Sequence, residues 1–155
     1  MKVILVEPLI PQNTGNILRT CIAVGASLLL LRPHFSLSDS KMRRAGLDYA
    51  RKSPPQEIES LDEELEQSSS FFFFSSKKHK TSHTLLTSYT EISYEKESLL
   101  IFGNEEKGLP ESLWNRFPNQ FVTIPMEKEC RCLNLAKACA IALFEVRRQL
   151  NAACK

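Results

Sequence analysis

The first 31 residues are the part of the sequence that most constrains the fold. Residues 2–7 and Ser27–Leu31 are continuous apolar runs, which are typical of strands buried on both faces of a sheet. Between them lies a helical pattern that Asn13 or Thr14 can cap and that Gly25 can end. A strand, a helix and a second strand in this order form a parallel unit with a right-handed crossover. The sequence therefore predicts an α/β fold built on a parallel sheet flanked by helices.

The rest of the chain continues this alternation. Four consecutive phenylalanines at residues 71–74 predict a core strand rather than a disordered tract, although serines surround them. Further buried strands are predicted at residues 98–102 and 121–124, and helices at residues 39–49, 61–67, 110–117 and 134–150. The acidic 61–67 helix is expected to lie in solvent. We expect one domain that covers residues 1–155.

Composition limits the class of protein but leaves its partner open. Hydrophobic residues make up 43% of the chain and charged residues 25%, which is typical of a globular domain. The net charge of +2 permits a nucleic-acid partner through a local basic patch without requiring one. The sequence shows neither an apolar run of about 18 residues nor a signal-peptide pattern. We therefore expect a cytoplasmic protein that does not bind membranes.

The five cysteines are expected to be free thiols. Cys21 and Cys139 lie in apolar helical patterns, where cysteine behaves as a small core residue. Cys130 and Cys132 are separated by one residue, a spacing that matches no common zinc site. Free thiols in a reducing compartment are therefore favoured over a metal site or a disulfide, and no metal is predicted.

Two polar loops follow buried strands in the second half of the chain. Gly103 and Gly108 flank the first loop, and glycine there allows positive φ or close approach of the backbone to a ligand. The second loop begins at Pro125, which ends its strand, and leads into the apolar last helix. Such loops form the ligand sites of α/β proteins, although a glycine loop taken alone is most often a plain turn. The spacings of a phosphate loop and of a dinucleotide fingerprint are both absent.

Basic residues form two clusters besides Arg19, which follows Asn13 and Asn16 on the first helix. A lone arginine is usually an ordinary surface residue. However, helix N-termini bind anions, and the arginine side chain can form two parallel hydrogen bonds with a phosphate. Basic clusters are most often solvated, and they can also guide RNA because phosphate contacts supply affinity without reading sequence. The RNA contacts predicted on this basis are Arg43, Arg44, Lys77 and Lys78.

The last predicted helix carries more apolar residues than one sheet face can cover. One apolar stripe consists of Leu135, Ala138, Cys139, Ala142, Val146 and Leu150. Ile141, Leu143 and Phe144 add apolar surface elsewhere on the helix. A helix that is apolar so widely is expected to contact a partner subunit, and a symmetric dimer would bury the same patch twice. We therefore expect a homodimer.

Three motifs, in this order, closely resemble those of the SPOUT RNA methyltransferases. They are NTGNILR at residues 13–19, FGNEEKGLP at residues 102–110 and IPMEKECRCLNL at residues 124–135, and RRAGLDY at residues 43–49 joins them. Within that superfamily the chain is most similar to the small tRNA 2'-O-methyltransferases. The resemblance covers nearly the whole chain. It implies a C-terminal trefoil knot, which is rare among folds, together with S-adenosylmethionine as cofactor and a homodimer whose active site borrows residues from both subunits.

The resemblance also assigns site residues by position. The implied cofactor contacts are Phe74, Gly103, Ile124, Met126, Cys132, Leu133 and Asn134. Arg19 takes the place of the arginine implicated in catalysis, with Asn16 beside it. The sequence departs from the usual pattern at Cys132, Ala136 and Phe144, where serine, serine and tyrosine are common. If the usual serine hydroxyl at Cys132 contacts the cofactor, its loss costs about 0.5–1.5 kcal/mol, and if only its backbone does, cysteine should substitute.

The activity implied is methylation of the ribose 2'-hydroxyl of the wobble pyrimidine at tRNA position 34. Two alternatives remain open. One is the same chemistry on another RNA such as rRNA, and the other is a catalytically silent RNA-binding protein. The reaction requires in-line positioning of the hydroxyl and a group that accepts its proton. Arginine is a poor base in water because its pKa is very high. Arg19 is therefore expected to position the phosphate and hydroxyl, and removal of water around it is the condition under which it could also take the proton. A valine at Gly103 is expected to fill the cofactor's space while leaving the fold intact.

Overall fold

The computed structural model of the chain describes residues 1–76 and 86–153, and in these residues seven strands form one sheet. The strands are β1 Lys2–Val6, β2 Ser27–Leu31, β3 Gln56–Ile58, β4 Phe71–Phe74, β5 Thr87–Ser88, β6 Leu99–Phe102 and β7 Phe121–Thr123. The helices are α1 Pro11–Val24, α2 Ser40–Gly46, α3 Tyr49–Lys52, α4 Leu61–Glu66, α5 Glu111–Arg116 and α6 Leu135–Ala153, with a 3-10 turn at Pro118–Gln120. The strand order is β3-β2-β1-β6-β4-β7-β5, and every neighbouring pair is parallel. The predicted parallel sheet flanked by helices is confirmed.

Side chains of each strand alternate between two cores, because successive Cβ atoms point to opposite faces of a sheet. Val3 and Leu5 pack in one core with the buried faces of α1, α2 and α6. Ile4 and Val6 pack in the other core with the apolar residues of α4 and α5. Both faces of the central strand β1 are therefore covered by helices, which explains its continuous apolar sequence.

Helix α1 begins at Pro11, two residues before the predicted cap. Proline suits this first helical position because its φ is already fixed near the helical value. The prediction that Asn13 or Thr14 caps the helix is wrong, since both lie buried inside it and the capping position is Ile10. The helix ends as predicted at Gly25, which adopts the left-handed conformation with φ 73° and ψ 32°.

Helix α2 packs closely on the first half of α1. A Cβ atom built on Gly15 would lie 2.5 Å from the carbonyl oxygen of Met42 and 2.7 Å from the Cβ of Ala45. Glycine alone leaves room for the α2 backbone at this crossing. Met42 is fully buried beneath α2, so the position of this short helix against α1 is fixed by both contacts.

The single helix predicted at residues 39–49 is wrong, because the chain forms two short helices there. Asp39 caps α2 by accepting from the backbone N–H groups of Lys41 and Met42. The helix then ends at Leu47, whose φ of 53° and ψ of −147° cannot continue a right-handed helix. Helix α3 starts two residues later, at Tyr49.

Three further details differ from the prediction. Helix α4 is amphipathic rather than wholly solvated, because Leu61 and Leu65 are buried against the sheet. Strand β3 pairs with β2 at one edge of the sheet, where Gln56 and Glu57 face solvent and hide the apolar signal of a strand. Strand β5 has only two residues and pairs with β7 at the other edge. No strand was predicted at either place.

Helix α6 buries the predicted apolar stripe but leaves two large side chains outside the core. Cys139, Ala142 and Val146 are completely buried. Leu143 is also completely buried, so it belongs to the core rather than to a second apolar surface. Ile141 remains 37% exposed and Phe144 55% exposed.

Two properties of the described ranges bear on the kind of ligand the chain could hold. No helix in residues 1–76 or 86–153 is long and apolar enough to cross a membrane. In the same ranges, no three His, Cys, Asp or Glu side chains lie close enough together to hold a metal ion. The trefoil knot and the extent of one domain over residues 1–155 stay predictions.

Candidate functional site

A pocket of about 420 Å³ opens beyond the carboxyl ends of β4, β6 and β7. Ligand crevices of open parallel sheets lie at this edge, and small-molecule pockets measure roughly 300–1,000 Å³. Its walls come from the end of β4, the loop after β6, the loop after β7, and the first turns of α1 and α6. Five segments that are distant in the sequence therefore meet at one cavity.

The pocket contains every residue for which a cofactor contact was predicted. These are Phe74, Gly103, Ile124, Met126, Cys132, Leu133 and Asn134. Residues of the loops after β6 and β7 thus line one cavity, whereas the binding role of each residue stays a prediction. The lining also includes Ile10, Asn13 and Glu105. Of these three, the sequence alone predicts a role only for Asn13, which is that of a helix cap.

Glu105 holds the loop after β6 against the start of α1. Its carboxylate accepts hydrogen bonds from the backbone N–H of Leu9 at 2.9 Å and of Ile10 at 3.3 Å. It also accepts one from the side-chain amide of Asn13 at 2.9 Å. Bonds to a charged acceptor are stronger than those between neutral groups. Glu105 therefore satisfies the backbone N–H of the capping residue Ile10 and of Leu9, which precedes it.

Asn134 extends this network to the last helix. Its side-chain oxygen accepts from the backbone N–H of Ala136 at 3.0 Å and of Lys137 at 3.3 Å, which caps α6. Its side-chain amide donates to Asn13 at 3.0 Å. Glu105, Asn13 and Asn134 thus form one hydrogen-bonded chain that joins the three motifs recognised in the sequence. The type of each residue in the motifs was visible in advance, but their mutual contacts were not.

Gly103 is required by the loop's own backbone, which corrects the expectation that a side chain there would only fill ligand space. A Cβ atom built on Gly103 would lie 2.1 Å from the carbonyl carbon of Gly108 and 2.3 Å from its oxygen. The loop after β6 folds back so tightly that no side chain fits between these residues. A larger residue at Gly103 would therefore deform the pocket wall before any ligand is considered.

The tight turn is completed by Asn104 and Gly108. The side-chain oxygen of Asn104 accepts from the backbone N–H of Glu106 at 3.1 Å and of Lys107 at 2.6 Å. The backbone N–H of Gly108 donates to the carbonyl of Asn104 at 3.1 Å. Gly108 has a φ of 74°, a conformation that glycine adopts without steric cost. Glycine is thus used at Gly103 for close approach and at Gly108 for positive φ.

An aromatic pair forms the apolar floor where β4 and β6 end. The rings of Phe74 and Phe102 stack with centroids 4.6 Å apart and planes inclined by 17°. Ile124, Met126 and Leu133 add aliphatic surface from the loop after β7. The pocket therefore combines an apolar surface with backbone and amide polar groups, which is typical of a site for a small organic ligand.

The four described cysteines are free thiols, as predicted, but they lie in two different environments. Cys21 and Cys139 are completely buried. Burial raises the pKa of Cys21 to about 12 and holds that of Cys139 well above its ordinary value. Both are therefore unreactive core residues. Cys130 and Cys132 are exposed on the loop after β7, and Cys132 lines the pocket.

The predicted catalytic residues and the two described RNA-binding residues do not line this cavity. Arg19 and Asn16 are exposed on the polar face of α1, away from the buried face formed by Ile17 and Cys21. Arg43 and Arg44 are exposed on α2. The other two predicted RNA contacts, Lys77 and Lys78, lie outside the described residues.

Comparison with known proteins agrees with this architecture. The fold and the cavity define a parallel α/β protein with a small-molecule pocket at the carboxyl edge of its sheet. Residues 1–144 match the model of the SpoU rRNA Methylase family, and the chain belongs to that family.

Individual relatives cover nearly the whole chain. A tRNA (cytidine(34)-2'-O)-methyltransferase of Yersinia pestis is 34% identical over 153 residues, which are 97% of this chain and 94% of the relative. A solved structure described as "Structural insights into the 2-OH methylation of C/U34 on tRNA" is 37% identical with a TM-score of 0.83, covering 97% of this chain and 96% of that one. An AdoMet-bound rRNA methyltransferase from Sinorhizobium meliloti is 28% identical with a TM-score of 0.79, covering 96% of this chain and 56% of that one.

Proposed function

We propose that this protein transfers the methyl group of S-adenosylmethionine to the ribose 2'-hydroxyl of the pyrimidine at position 34 of tRNA. The observation that carries the proposal is that all the implied cofactor residues line one pocket, in a chain that aligns over almost its full length with a tRNA (cytidine(34)-2'-O)-methyltransferase. A relative that acts on rRNA has AdoMet bound, which supports the choice of cofactor.

The residues present suit such a cofactor. Phe74, Ile124 and Leu133 offer an apolar surface for a heterocyclic base, and the exposed backbone of the loops after β6 and β7 offers polar groups at its edges. S-adenosylmethionine would supply a methyl group already activated on a sulfonium, so the protein's task is to position the accepting hydroxyl. The rigid turn at Gly103 and the Glu105 network support this task by holding the pocket walls in place.

We also propose that the protein is a homodimer and that Arg19 of one subunit takes part in the reaction at the pocket of the other subunit. Arg19 and Asn16 do not line their own chain's pocket, which supports an arrangement in which a second copy brings them to it. The exposed Ile141 and Phe144 on α6 give such a copy an apolar surface to cover. Sedimentation measures the association directly, and a stable monomer at micromolar concentration would exclude this arrangement.

The proposed compartment is the cytoplasm, and residues 1–155 are proposed to form one domain.

Methyl transfer to bulk tRNA tests the proposed activity. With radiolabelled S-adenosylmethionine we expect labelled tRNA, and mass spectrometry of its nuclease fragments should locate the methyl group on the ribose of nucleotide 34. Labelling of rRNA instead of tRNA would support the alternative substrate that the family's description names. Binding of tRNA and cofactor without transfer would indicate a catalytically silent RNA-binding protein.

Substitution of Arg19 should affect the chemical step and not the fold. Arg19→Ala removes an exposed side chain from the polar face of α1, so the free energy of unfolding should change by less than about 0.5 kcal/mol. The single-turnover methylation rate at saturating cofactor and RNA should fall sharply if Arg19 contacts the transition state. A parental rate with an unchanged melting temperature would remove Arg19 from the mechanism. Arg32→Ala, on the loop after β2, is a suitable control.

Thiol labelling offers a test of the pocket that does not depend on activity. Iodoacetamide should modify the exposed Cys130 and Cys132 in the folded protein but leave Cys21 and Cys139 unmodified, because these are buried with raised pKa values. S-adenosylmethionine should protect Cys132, which lines the pocket, more strongly than Cys130, which lies outside it. Peptide mass spectrometry measures both effects. Equal labelling of Cys132 with and without cofactor would place the cofactor elsewhere.

A further inference from the structure

The short helices α2 and α3 and the turn between them carry an unusual surface. The α2–α3 patch consists of Lys41, Arg43, Arg44, Leu47, Tyr49, Arg51 and Lys52, and all of these side chains are exposed. Residues 41–52 contain five basic residues and one acidic residue, which gives a segment charge of +4 in a chain whose net charge is only +2. The positive charge of the protein is therefore concentrated here.

The cations of this patch are not taken up by ion pairs. Within residues 1–76 and 86–153, none of the ion pairs involves any of the five basic side chains of the patch. Some arginines elsewhere are paired, such as Arg116 with Asp62 and Arg148 with Glu145. Unpaired, clustered cations are suited to an anionic polymer, because each phosphate they neutralise releases a counterion.

Two large apolar side chains stand among these cations. Leu47 is 52% exposed and Tyr49 is 44% exposed. The backbone at Leu47 has a φ of 53° and a ψ of −147°, a region that residues other than glycine rarely occupy. The chain thus adopts an unfavourable conformation at a residue whose side chain remains in solvent, and such strain is concentrated at functional sites.

We infer that the α2–α3 patch binds unpaired nucleotides of RNA, with a base stacked on Tyr49 beside Leu47 and the surrounding cations on the phosphates. An aromatic ring among cations is how proteins hold single-stranded nucleic acid, because every base has a face that stacks. In double-stranded RNA the bases are already stacked and cannot reach such a ring. The patch would therefore select a loop over a stem. This inference rests on the proposed function and adds the part of the RNA that is recognised.

The packing of α2 sets the patch at a fixed distance from the pocket. Gly15 lies in van der Waals contact with the α2 backbone, and Asn13, one half-turn earlier on α1, lines the pocket. Helix α3, which carries Tyr49, packs on both α1 and α2, with Ala50 beside Gly46. A nucleotide held on Tyr49 would thus be held relative to the cofactor site through packed helices.

Binding of two RNA probes tests the inference. One probe is a hairpin with an unpaired loop, and the other is a fully paired duplex of the same length. Tyr49→Ala should weaken hairpin binding by about tenfold, whereas Tyr49→Phe should retain most of the affinity because the ring remains. Duplex binding should be unaffected by either change. Leu47→Gly, which suits the backbone conformation, should weaken hairpin binding without lowering the melting temperature. Arg116→Gln, on the opposite face of the sheet, is the charge control.

Each other outcome would contradict the inference in a recognisable way. Equal losses on hairpin and duplex would show a general electrostatic contact without stacking. Unchanged hairpin binding by Tyr49→Ala, in a protein that still methylates tRNA, would exclude the α2–α3 patch as an RNA-binding surface. The proposed function would be unaffected. Failure of the parental protein to bind either RNA would contradict both the inference about the α2–α3 patch and the proposed function. Binding of phosphatidylserine vesicles in place of hairpin RNA, lost in Tyr49→Ala, would assign the patch to a lipid surface.

Discussion

Gly103→Val is expected to abolish S-adenosylmethionine binding and to destabilise the protein. The new side chain would have to occupy space held by the backbone of Gly108, where even a Cβ atom would lie 2.1 Å from the carbonyl carbon. Backbone atoms cannot rotate away as a side chain can, so the loop after β6 must move. Overpacking of this kind costs about 1–3 kcal/mol and occasionally more. Calorimetric titration with the cofactor and thermal unfolding measure the two effects.

Gly108→Ala provides the matched control in the same turn. Its Cβ atom would meet no other atom within 4 Å, but the residue has a φ of 74°. The cost is therefore conformational only, about 1–2 kcal/mol, and the shape of the pocket should be kept. If Gly103→Val bound the cofactor as tightly as the parental protein, the loop after β6 could not be a pocket wall.

Glu105→Gln is expected to have the second large effect. The carboxylate accepts three hydrogen bonds from donors of α1 and its preceding loop, and an amide would turn an N–H₂ group toward some of them. Loss of bonds to a charged acceptor should lower the free energy of unfolding by about 2–3 kcal/mol and the melting temperature by about 4–12 °C. The cofactor affinity should also fall roughly tenfold, which corresponds to about 1.4 kcal/mol.

The exposed Glu59 supplies a comparison for this change. Glu59→Gln removes the same charge from the loop before α4, and its melting temperature should stay near the parental value. An equally mild effect of Glu105→Gln would show that the hydrogen bonds across the motifs contribute little. Asn13→Ala should resemble Glu105→Gln in direction, because it breaks the same network at its centre.

Strands and helices could be predicted where local sequence decides them. The runs in β1, β2, β4 and β6 are continuously apolar because both faces of the sheet are covered, and such runs are visible in any reading of the sequence. Strand β3 was missed because its edge position allows Gln56 and Glu57 to face water. The split of the 39–49 helix was missed because nothing about a leucine indicates that it will adopt positive φ.

The residues that line the pocket could be predicted from the sequence, but the hydrogen bonds between them could not. Resemblance of the motifs identified the lining, but Asn13 was assigned to a helix cap because short polar side chains most often serve that role. Its actual partners are Glu105 and Asn134, which lie 92 and 121 positions away in the sequence. Glu105 itself carries no local signal, since a glutamate in a polar loop is usually solvated. Only the assembled sheet shows that it is an acceptor for another helix.

The hydrogen bond from Asn134 to Asn13 has a consequence for how the protein becomes functional during synthesis. The first strand, β1, can pair with β2 as soon as both leave the ribosome, but its other edge must wait for β6, where Lys2 aligns with Leu99. The pocket cannot form until later, when the start of α6 has also left the ribosome. A nascent chain therefore exposes an unpaired edge of an apolar strand until β6 has emerged, and ribosomes that stop before residue 134 release a product without a complete pocket.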